Sequence, residues 1–504
     1  MSLMQTQPTV KIPTRRLPRW LLALIVAAAA TASVAQERRI DLPDMGNSAD
    51  NYLSDSEKRE YAEAILMQMR AYNILVDDPL IAGYFSDMGF RLVAMSDEPT
   101  KPFTFVVLDE NRVNAFAAPG GVVALHSGLI LEAETESEVA GVLAHEIAHI
   151  TQLHLYRTLQ NAQNLTIPIA LGMLALILAG GGGGEAIAGA VATGTGLQQQ
   201  AYINFTRANE SEADRIGIRT LAMAGYDPEG MADFFERLNR VNRTGGEQPP
   251  EFLRTHPVTV NRIAEAKDRA ATMQQPERGN DFGFYLAQAR LRAMFEPRPA
   301  DAEAWFRNRL EFTHDEIRAD ALRYGLAIAL QKRREFDEAR ELLDELLKRH
   351  PGRLPFELQM AALDADTGDD AAATERLASL WALFPGNHAI AMQYGKILVH
   401  QDNPESAALA TEVLRRQLRD KTDDPALYEL YARAAAQAGE SVRASEALAE
   451  SYFLRGGVKE ALQQLEMLKR RDDLNYYQRA RVTARLEEMR IILADFDVST
   501  PDDA

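Results

Sequence analysis

Apolar residues recur every three or four positions along most of this chain, which is the spacing of one helix face. This spacing begins at 56–74, and it dominates after residue 276, where glycine becomes rare and Ala, Leu, Arg and Glu prevail. Between these parts, 103–108 has the composition of a strand, and 113–118 and 121–125 flank a Pro-Gly turn as a strand pair does. The pattern predicts a mainly α protein with one small β-sheet.

The helical part after residue 276 repeats itself. Pro351 and Pro385 lie 34 residues apart, and each follows a pair of helical segments and precedes a glycine. Helix–turn–helix units of 34 residues with proline near the end are typical of tetratricopeptide repeats, although the Trp-Leu-Gly-Tyr pattern is loose here. We therefore expect an α-solenoid of tetratricopeptide-like repeats over 276–492, whose concave surface binds polypeptides, and an acidic tail over 493–504. A helical domain without repeats is the alternative.

The main chemical signal is the sequence His-Glu-x-x-His on a predicted helix. Thr135 and Glu138 have the spacing of a capping box at the start of this helix. His145 and His149 are four residues apart, so both lie on one helix face and can bind one metal ion, while Glu146 can reach a water held there. This arrangement is typical of a zinc hydrolase, and a chance match is the alternative.

Two histidines do not complete such a site, because a catalytic zinc ion needs a third protein ligand and an open position for water. Candidate carboxylates lie at 209–214, Asn-Glu-Ser-Glu-Ala-Asp, on a helix predicted over 198–224 and ended by Gly225. Taken alone, this acidic run would be a solvated helix face. Beside two histidine ligands, it is the place to look for the third.

Three motifs together resemble a known family. His-Glu-x-x-His at 145–149 is followed some sixty residues later by Glu-x-x-Ala-Asp at 210–214, and Asn-Ala-Phe-Ala-Ala-Pro-Gly-Gly precedes both at 114–121. This set resembles the metallopeptidase family of the HtpX, Oma and CAAX prenyl protease type, and the likeness covers nearly all of the chain after its leader. It implies a mostly helical zincin-type metallopeptidase domain over 36–275 with one zinc ion per chain.

The resemblance also implies roles for single residues. The first Glu of Glu-x-x-Ala-Asp is the family's third ligand, and the Asp one turn later orients a ligand histidine. The segment 113–125 lies near the site and would offer a strand edge to an extended substrate. The expected site residues are His145, His149 and Glu210 as zinc ligands, Glu146 and Asp214 as catalytic residues with Glu146 as the base, and Asn114, Phe116 and Arg262 as substrate-binding residues.

A His-Pro loop beyond the Glu-x-x-Ala-Asp helix adds two candidates. His256 would fill the open zinc position and hold the enzyme inactive, or it would stabilise the oxyanion; a surface loop histidine is the plain alternative. Arg262 would donate to the transition state or form an ordinary salt bridge, and the sequence does not choose between them. His154 is expected to be structural.

The N-terminus predicts export. Residues 1–35 combine four basic residues, an apolar run at 20–32 and a small-residue cleavage site ending at Ala35, so we expect a cleaved signal peptide rather than an uncleaved anchor. Its loss would change the net charge from −18 to −22, which argues against nucleic acid and against adhesion to anionic lipid. The chain has no cysteine, hence no disulfide and no thiol for a lipid anchor. A periplasmic location follows.

An unusual segment lies at 165–197. Its apolar run at 165–179 is shorter than the roughly 20 residues that a transmembrane helix needs, and five glycines follow at 180–184. Two interpretations stay open. The segment is a loop or hairpin with a buried face, or it gates the site or touches a membrane peripherally.

These features predict a periplasmic zinc-dependent endopeptidase and chaperone for quality control and assembly of outer-membrane proteins, peripherally associated with the outer membrane. The expected partners are unfolded or stalled envelope proteins and, through the repeats, the outer-membrane assembly machinery. The alternative is a non-proteolytic tetratricopeptide binding protein or assembly chaperone with a degenerate peptidase domain. An intramembrane peptidase of the prenyl-protease kind is disfavoured, because the mature sequence has no true membrane span.

Overall fold

The computed structural model describes residues 53–161, 207–244, 249–274 and 281–499. The predicted signal peptide, the segment 165–197 and the last residues of the predicted tail lie outside this part. Where the chain is described, it consists of α-helices and one three-stranded sheet, which confirms the mainly α prediction. None of the described helices has both the length and the apolar character needed to cross a bilayer.

The elements divide into two groups along the chain. The first group is Asp55–Ala71 (α1), Pro79–Ala94 (α2), Thr104–Leu108 (β1), Ala115–Ala118 (β2), Val122–His126 (β3), Ser127–Glu132 (α3), Glu136–Thr151 (α4), His154–Asn161 (α5), Arg207–Met223 (α6), Gly230–Thr244 (α7), Glu251–Thr255 (α8) and Val260–Ala270 (α9). The second group is Phe282–Phe295 (α10), Pro299–Glu311 (α11), Glu316–Lys332 (α12), Phe336–Arg349 (α13), Leu354–Asp366 (α14), Asp370–Leu383 (α15), His388–His400 (α16), Pro404–Gln417 (α17), Pro425–Gln437 (α18), Ser441–Leu454 (α19), Val458–Lys469 (α20) and Tyr476–Ser499 (α21).

The sheet is small and its strand order is β1-β3-β2. β1 pairs in parallel with β3, with Phe105 opposite Val123, whereas β2 pairs in antiparallel fashion with β3, with Phe116 opposite Ala124. The predicted strand pair around the Pro-Gly turn is therefore confirmed. Because β3 is central, β2 is an edge strand among the described strands.

The core of the first group surrounds α4. Every residue from Val139 to His149 is buried, as expected for a helix covered on all sides. The helices α2, α6 and α7 and the strand β2 pack against α4, and Phe234, Phe235 and Phe252 fill the space beside it. The His-Glu-x-x-His motif thus lies inside the domain and not on its surface.

The second group consists of helical hairpins. Arg334, Gly368 and Asp402 each adopt a left-handed backbone conformation in the turn between two helices, and each is 34 residues from the next. Successive hairpins bury continuous clusters that include Tyr324 and Phe356. The tetratricopeptide-like solenoid predicted from the repeat is confirmed.

The two groups share the helix α10. Its residues Phe284 and Leu291 belong to the core around α4, whereas Phe282 and Leu286 belong to the first core of the repeats. The predicted boundary at 275 lies just before this helix, in a stretch outside the described residues. The helix α10 thus packs against the core around α4 with one set of residues and against the first repeats with another.

Candidate metal centre

The helix α4 places the two histidines of the motif and Glu146 in the interior. Its N-cap is Thr135, whose side chain accepts a hydrogen bond from the Glu138 N–H, as predicted. The reciprocal half of the predicted capping box is wrong. The Glu138 carboxylate accepts instead from the Glu134 N–H at 2.7 Å and from Arg237 at 2.8 Å, because a nearby guanidinium competes for it.

The helix α6 brings Glu210 to the same point. Glu210 Oε1 lies 3.4 Å from His149 Nε2, and Glu210 Oε2 lies 3.6 Å from His145 Nε2. The two helices approach closely at Gly217, where a Cβ atom would stand 3.1 Å from the His145 backbone nitrogen. Glycine at this position therefore permits the contact that carries Glu210 to the histidines.

His256 joins the cluster from the turn between α8 and α9. Its ring stacks on Phe252, with centroids 4.9 Å apart, and is 2% exposed. His256 Nδ1 lies 3.1 Å from Glu210 Oε1 and 3.3 Å from His145 Nε2. The structure thus places His256 at the cluster and not on the surface.

The four donor groups fit a zinc ion. Donor atoms about 2.0–2.1 Å from a tetrahedral zinc ion stand roughly 3.3–3.4 Å from one another. The distances that join the Nε2 atoms of His145 and His149, Nδ1 of His256 and the Glu210 carboxylate range from 3.0 to 3.6 Å. All four residues are buried, and three nitrogens with one carboxylate form a donor set that zinc accepts.

Asp214 and Arg262 support this cluster from behind. Asp214 Oδ1 lies 3.0 Å from His145 Nδ1, the ring nitrogen that faces away from the cluster. The Arg262 guanidinium donates to both Asp214 oxygens at 2.7 and 2.8 Å, to Glu210 Oε2 at 2.8 Å and to the Pro257 carbonyl at 2.8 Å. Four of the five N–H groups of Arg262 thus donate hydrogen bonds within the protein. Of the two roles that the sequence allowed for Arg262, the structure shows the salt bridge.

Electrostatics divide the site into ionised and neutral groups. Although burial opposes ionisation, His256 and His145 hold the pKa of Glu210 well below its ordinary value. Burial, and then the charge of His145, lower the pKa of His149 well below its ordinary value. Zinc ligands must be deprotonated, so an ionised Glu210 and a neutral His149 suit metal binding. Although burial opposes it, hydrogen bonds to Asp214 and Glu210 raise the pKa of His145 to about 9, so His145 must release a proton when it binds a metal ion.

Glu146 differs from the other buried acids of the site. Neither of its carboxylate oxygens has a hydrogen-bond partner among the described residues, and His256 Nε2 approaches Oε1 at 3.5 Å. Burial raises the pKa of the Glu146 carboxyl, and His256 opposes this shift. A buried carboxylate without a partner is costly to a fold and is expected where a group must accept a proton.

Asn114 directly precedes the strand β2 and Phe116 lies on it, and both residues are outside the donor cluster. The Asn114 carbonyl accepts from the His126 N–H at 3.0 Å, and its side-chain oxygen is buried without a hydrogen-bond partner among the described residues. The Phe116 ring meets the His126 ring edge to face, 6.1 Å between centroids. Substrate contact by either residue stays a prediction.

Sequence reasoning missed the role of two residues near the site, His154 and Glu212. His154, expected to be structural, has Nδ1 2.9 Å from His149 Nδ1, and its Nε2 lies 3.1 Å from Glu212 Oε2. His154 follows His149 by five residues, a spacing that faces another side of a continuous helix, so periodicity offered no signal. The break in the helix at Leu153, which brings the pair together, is seen only in the structure.

Comparison with known proteins agrees with this geometry. The profile of peptidase family M48 matches residues 79–270. The beta-barrel assembly-enhancing protease of Escherichia coli (strain K12) is 34% identical over 491 residues, which cover 94% of this chain and 97% of that protein. The protease of the same name from Yersinia pestis is 35% identical over 452 residues, 89% of this chain and 91% of that protein.

A more distant relative matches only part of the chain. The mitochondrial metalloendopeptidase OMA1 of Arabidopsis thaliana is 32% identical over 152 residues, 30% of this chain and 28% of that protein. The family resemblance stated from the motifs is confirmed, and with it the expectation of a metalloprotease. This chain belongs to peptidase family M48, in the branch of the beta-barrel assembly-enhancing proteases.

Proposed function

We propose that this chain is a periplasmic zinc-dependent endopeptidase that cleaves unfolded or stalled envelope proteins and serves the assembly of outer-membrane proteins. The observation that carries the proposal is the buried cluster of His145, His149 and Glu210 beside the buried carboxylate of Glu146, whose oxygens have no hydrogen-bond partner among the described residues. The name of the Escherichia coli and Yersinia pestis relatives, beta-barrel assembly-enhancing protease, supports the assembly role.

The residues of the cluster have distinct tasks in peptide hydrolysis. His145, His149 and Glu210 would hold the zinc ion, which when bound would supply a Lewis acid that polarises the scissile carbonyl and acidifies water. Glu146 accepts a proton from the attacking water and delivers it to the leaving amine. Burial raises the pKa of Glu146, and this favours uptake of the proton from water.

Asp214 and Arg262 act through other residues in this proposal. Asp214 fixes the His145 ring from its outer nitrogen, and Arg262 holds the carboxylates of Asp214 and Glu210. If Arg262 binds substrate, it would do so through its fifth N–H group, which is not used in the hydrogen bonds to Asp214, Glu210 and Pro257.

Substrate would enter along β2. Its outer edge has no strand partner among the described strands, so an extended polypeptide can add there by main-chain hydrogen bonds. A narrow cavity beside it has Ala117, Ala118, His149 and Ile150 among its lining residues. The edge therefore leads to the donor cluster, and Phe116 lies on the same strand.

His256 would regulate this site as a fourth ligand. Its Nδ1 lies 3.1 Å from Glu210 Oε1 and would fill the position that an active zinc site leaves open for water, while its Nε2 lies 3.5 Å from the carboxylate of the base Glu146. Cleavage then requires the loop between α8 and α9 to move His256 away. The repeats would recruit the substrates and the assembly machinery, and 165–197 would provide peripheral contact with the outer membrane.

The test compares the wild type with Glu210→Ala, Glu146→Gln and His256→Ala, with the exposed Glu63→Ala on α1 as the control. We expect one zinc ion per chain by mass spectrometry in the wild type and in Glu146→Gln, and none in Glu210→Ala. Hydrolysis of unfolded casein should fall roughly 100- to 10,000-fold in Glu146→Gln and rise in His256→Ala.

Two outcomes would contradict the proposal in different ways. If the wild type takes up no zinc even when zinc is added, the chain is not a zinc peptidase. It would then be a binding protein that acts through its solenoid and carries an inactive peptidase domain. Unchanged proteolysis and unchanged zinc coordination in His256→Ala would remove the regulatory role alone.

A further inference from the structure

His154 is brought to His149 by an interruption of the helix. The helix α4 ends at Thr151, and Leu153 adopts a left-handed backbone conformation with φ 57° before α5 begins. This conformation is unfavourable for leucine, so the surrounding structure must enforce it. Its effect is to turn the chain so that His154, fully buried, faces back toward His149.

His149, His154 and Glu212 then form a chain of polar contacts. His149 Nδ1 lies 2.9 Å from His154 Nδ1, and His154 Nε2 lies 3.1 Å from Glu212 Oε2. Arg157 donates to the same Glu212 oxygen at 3.3 Å. This chain of contacts begins at the side of His149 that faces away from the donor cluster.

The proton positions along this chain of contacts follow from the direction in which His149 points. Its Nε2 faces the cluster and must offer a lone pair to a metal ion, so Nδ1 carries the proton. This N–H donates to His154 Nδ1, which must therefore accept. His154 then carries its own proton on Nε2 and donates it to the Glu212 carboxylate. Each contact has one donor and one acceptor only in this arrangement.

We propose that His154 and Glu212 are positioning residues for His149, which fix its tautomer and ring orientation for metal binding; the inference rests on the proposed zinc site. The two ligand histidines of α4 are then supported in different ways. His145 meets the carboxylate of Asp214 directly at 3.0 Å, whereas His149 reaches the carboxylate of Glu212 through His154. Outer partners of this kind raise the basicity of a ligand histidine and restrict its rotation.

The experiment separates positioning from mere packing. The dissociation constant for zinc is measured by chelator competition on the full protein, for the wild type, His154→Phe, His154→Gln and Glu212→Ala. His154→Phe keeps an aromatic ring but loses both hydrogen bonds, whereas His154→Gln keeps an acceptor and a donor. Glu212→Ala guards against misfolding, because the Glu212 side chain is 30% exposed and its loss is tolerable to the fold. The matched control is His350→Phe, which removes a histidine paired with Asp320 at 2.7 Å in the repeats.

The positioning role predicts a weakening of zinc binding by roughly 10- to 100-fold in His154→Phe and in Glu212→Ala. We expect His154→Gln to remain within a few-fold of the wild type and His350→Phe to match it. The visible spectrum of the cobalt-substituted protein should change in His154→Phe, since it reports the ligand field at the metal.

A purely structural His154 would lower the thermal stability of the zinc-free protein and leave the zinc dissociation constant and the cobalt spectrum unchanged, which would overturn the positioning role alone. Equal weakening in His154→Phe and His350→Phe would overturn it as well. A wild type without zinc uptake would instead overturn the proposed function and the positioning role together.

Discussion

Among the described residues, two buried carboxylates are held by arginines, whereas the buried imidazole of His126 has a ring nitrogen without a hydrogen-bond partner. Glu138 is held by Arg237, and Asp78 is held by Arg290 with three contacts of 2.7 to 3.1 Å. His126, at the end of β3, is 2% exposed, and its Nδ1 has no hydrogen-bond partner among the described residues. Burial, reinforced by the charge of Arg112, lowers the pKa of His126 to about 4. The folded state therefore favours the neutral imidazole, and protonation of His126 lowers the stability of the fold.

We therefore expect the protein to lose stability in mild acid because His126 becomes protonated on unfolding. Its folded pKa lies below the unfolded value of about 6.5, so the unfolded state binds more protons, and the stability present above pH 6.5 declines as the pH falls toward 4. Between pH 7 and pH 5 the loss amounts to about 2 kcal/mol. Denaturant unfolding at both pH values should show this difference in the wild type and lack it in His126→Phe. An identical pH dependence in both proteins would disprove the assignment.

The residues of the site were predictable to different degrees, for physical reasons. His145, His149 and Glu146 follow from helix periodicity alone, because a spacing of four fixes their common face. Glu210 needed the family motif, since its place beside the histidines depends on how α6 packs on α4. His154 was not predictable as a partner of His149, because a left-handed residue between them changes the direction of the chain, and no local pattern encodes that conformation for leucine.

At the scale of elements, the site depends on how closely other helices approach α4. Gly141 lies where the start of α7 meets α4, and a Cβ atom there would stand 2.8 Å from the Met231 Cα and 2.9 Å from its nitrogen. These neighbours are backbone atoms, which cannot rotate away. The closeness of α7 to α4 therefore requires glycine at this position.

Alanine at Gly141 should destabilise the protein although it is the better helix former. The propensity gain is about 1 kcal/mol, whereas overpacking against a fixed backbone costs typically 1–3 kcal/mol, so the net change is a loss of up to about 2 kcal/mol. Gly83, exposed in α2 with no atom of the described residues within 4 Å of its Cβ position, is the matched control. Gly83→Ala should raise the midpoint of thermal unfolding, and Gly141→Ala should lower it. Shifts of the same sign would refute the packing argument.

At the scale of the whole molecule, the peptidase part and the repeats are joined by contacts that sequence patterns cannot show. Arg290 on α10 binds Asp78 at the start of α2, and it also donates to the Tyr324 hydroxyl and to Gln359 on two repeat helices, each at 3.0 Å. The repeat period predicted the solenoid, and the helix and strand patterns predicted the peptidase part, because each of these patterns involves residues that are close in sequence. The Arg290 contacts span 34 to 212 residues along the chain, and only the folded structure brings them together.

Replacement of Arg290 therefore tests whether the two parts unfold as one. Arg290→Met leaves the Asp78 carboxylate, 7% exposed, without its partner, and loss of one member of a buried pair costs roughly 3–5 kcal/mol. In Arg290→Met/Asp78→Asn the loss should be smaller, because no buried charge remains and asparagine still caps α2. The control is Arg481→Met, which breaks an exposed pair with Glu446 within the repeats and should change stability by about 1 kcal/mol or less.

Calorimetry distinguishes the outcomes of this replacement. If Arg290 couples the two parts, the wild type unfolds in one main transition, and Arg290→Met separates a transition of the peptidase part from that of the repeats. Added zinc should then move only the first of them, because a ligand stabilises only the unit that binds it. Two transitions in the wild type already, or one undivided and unshifted transition in Arg290→Met, would show that the shared helix α10 holds the parts together without the ion pair.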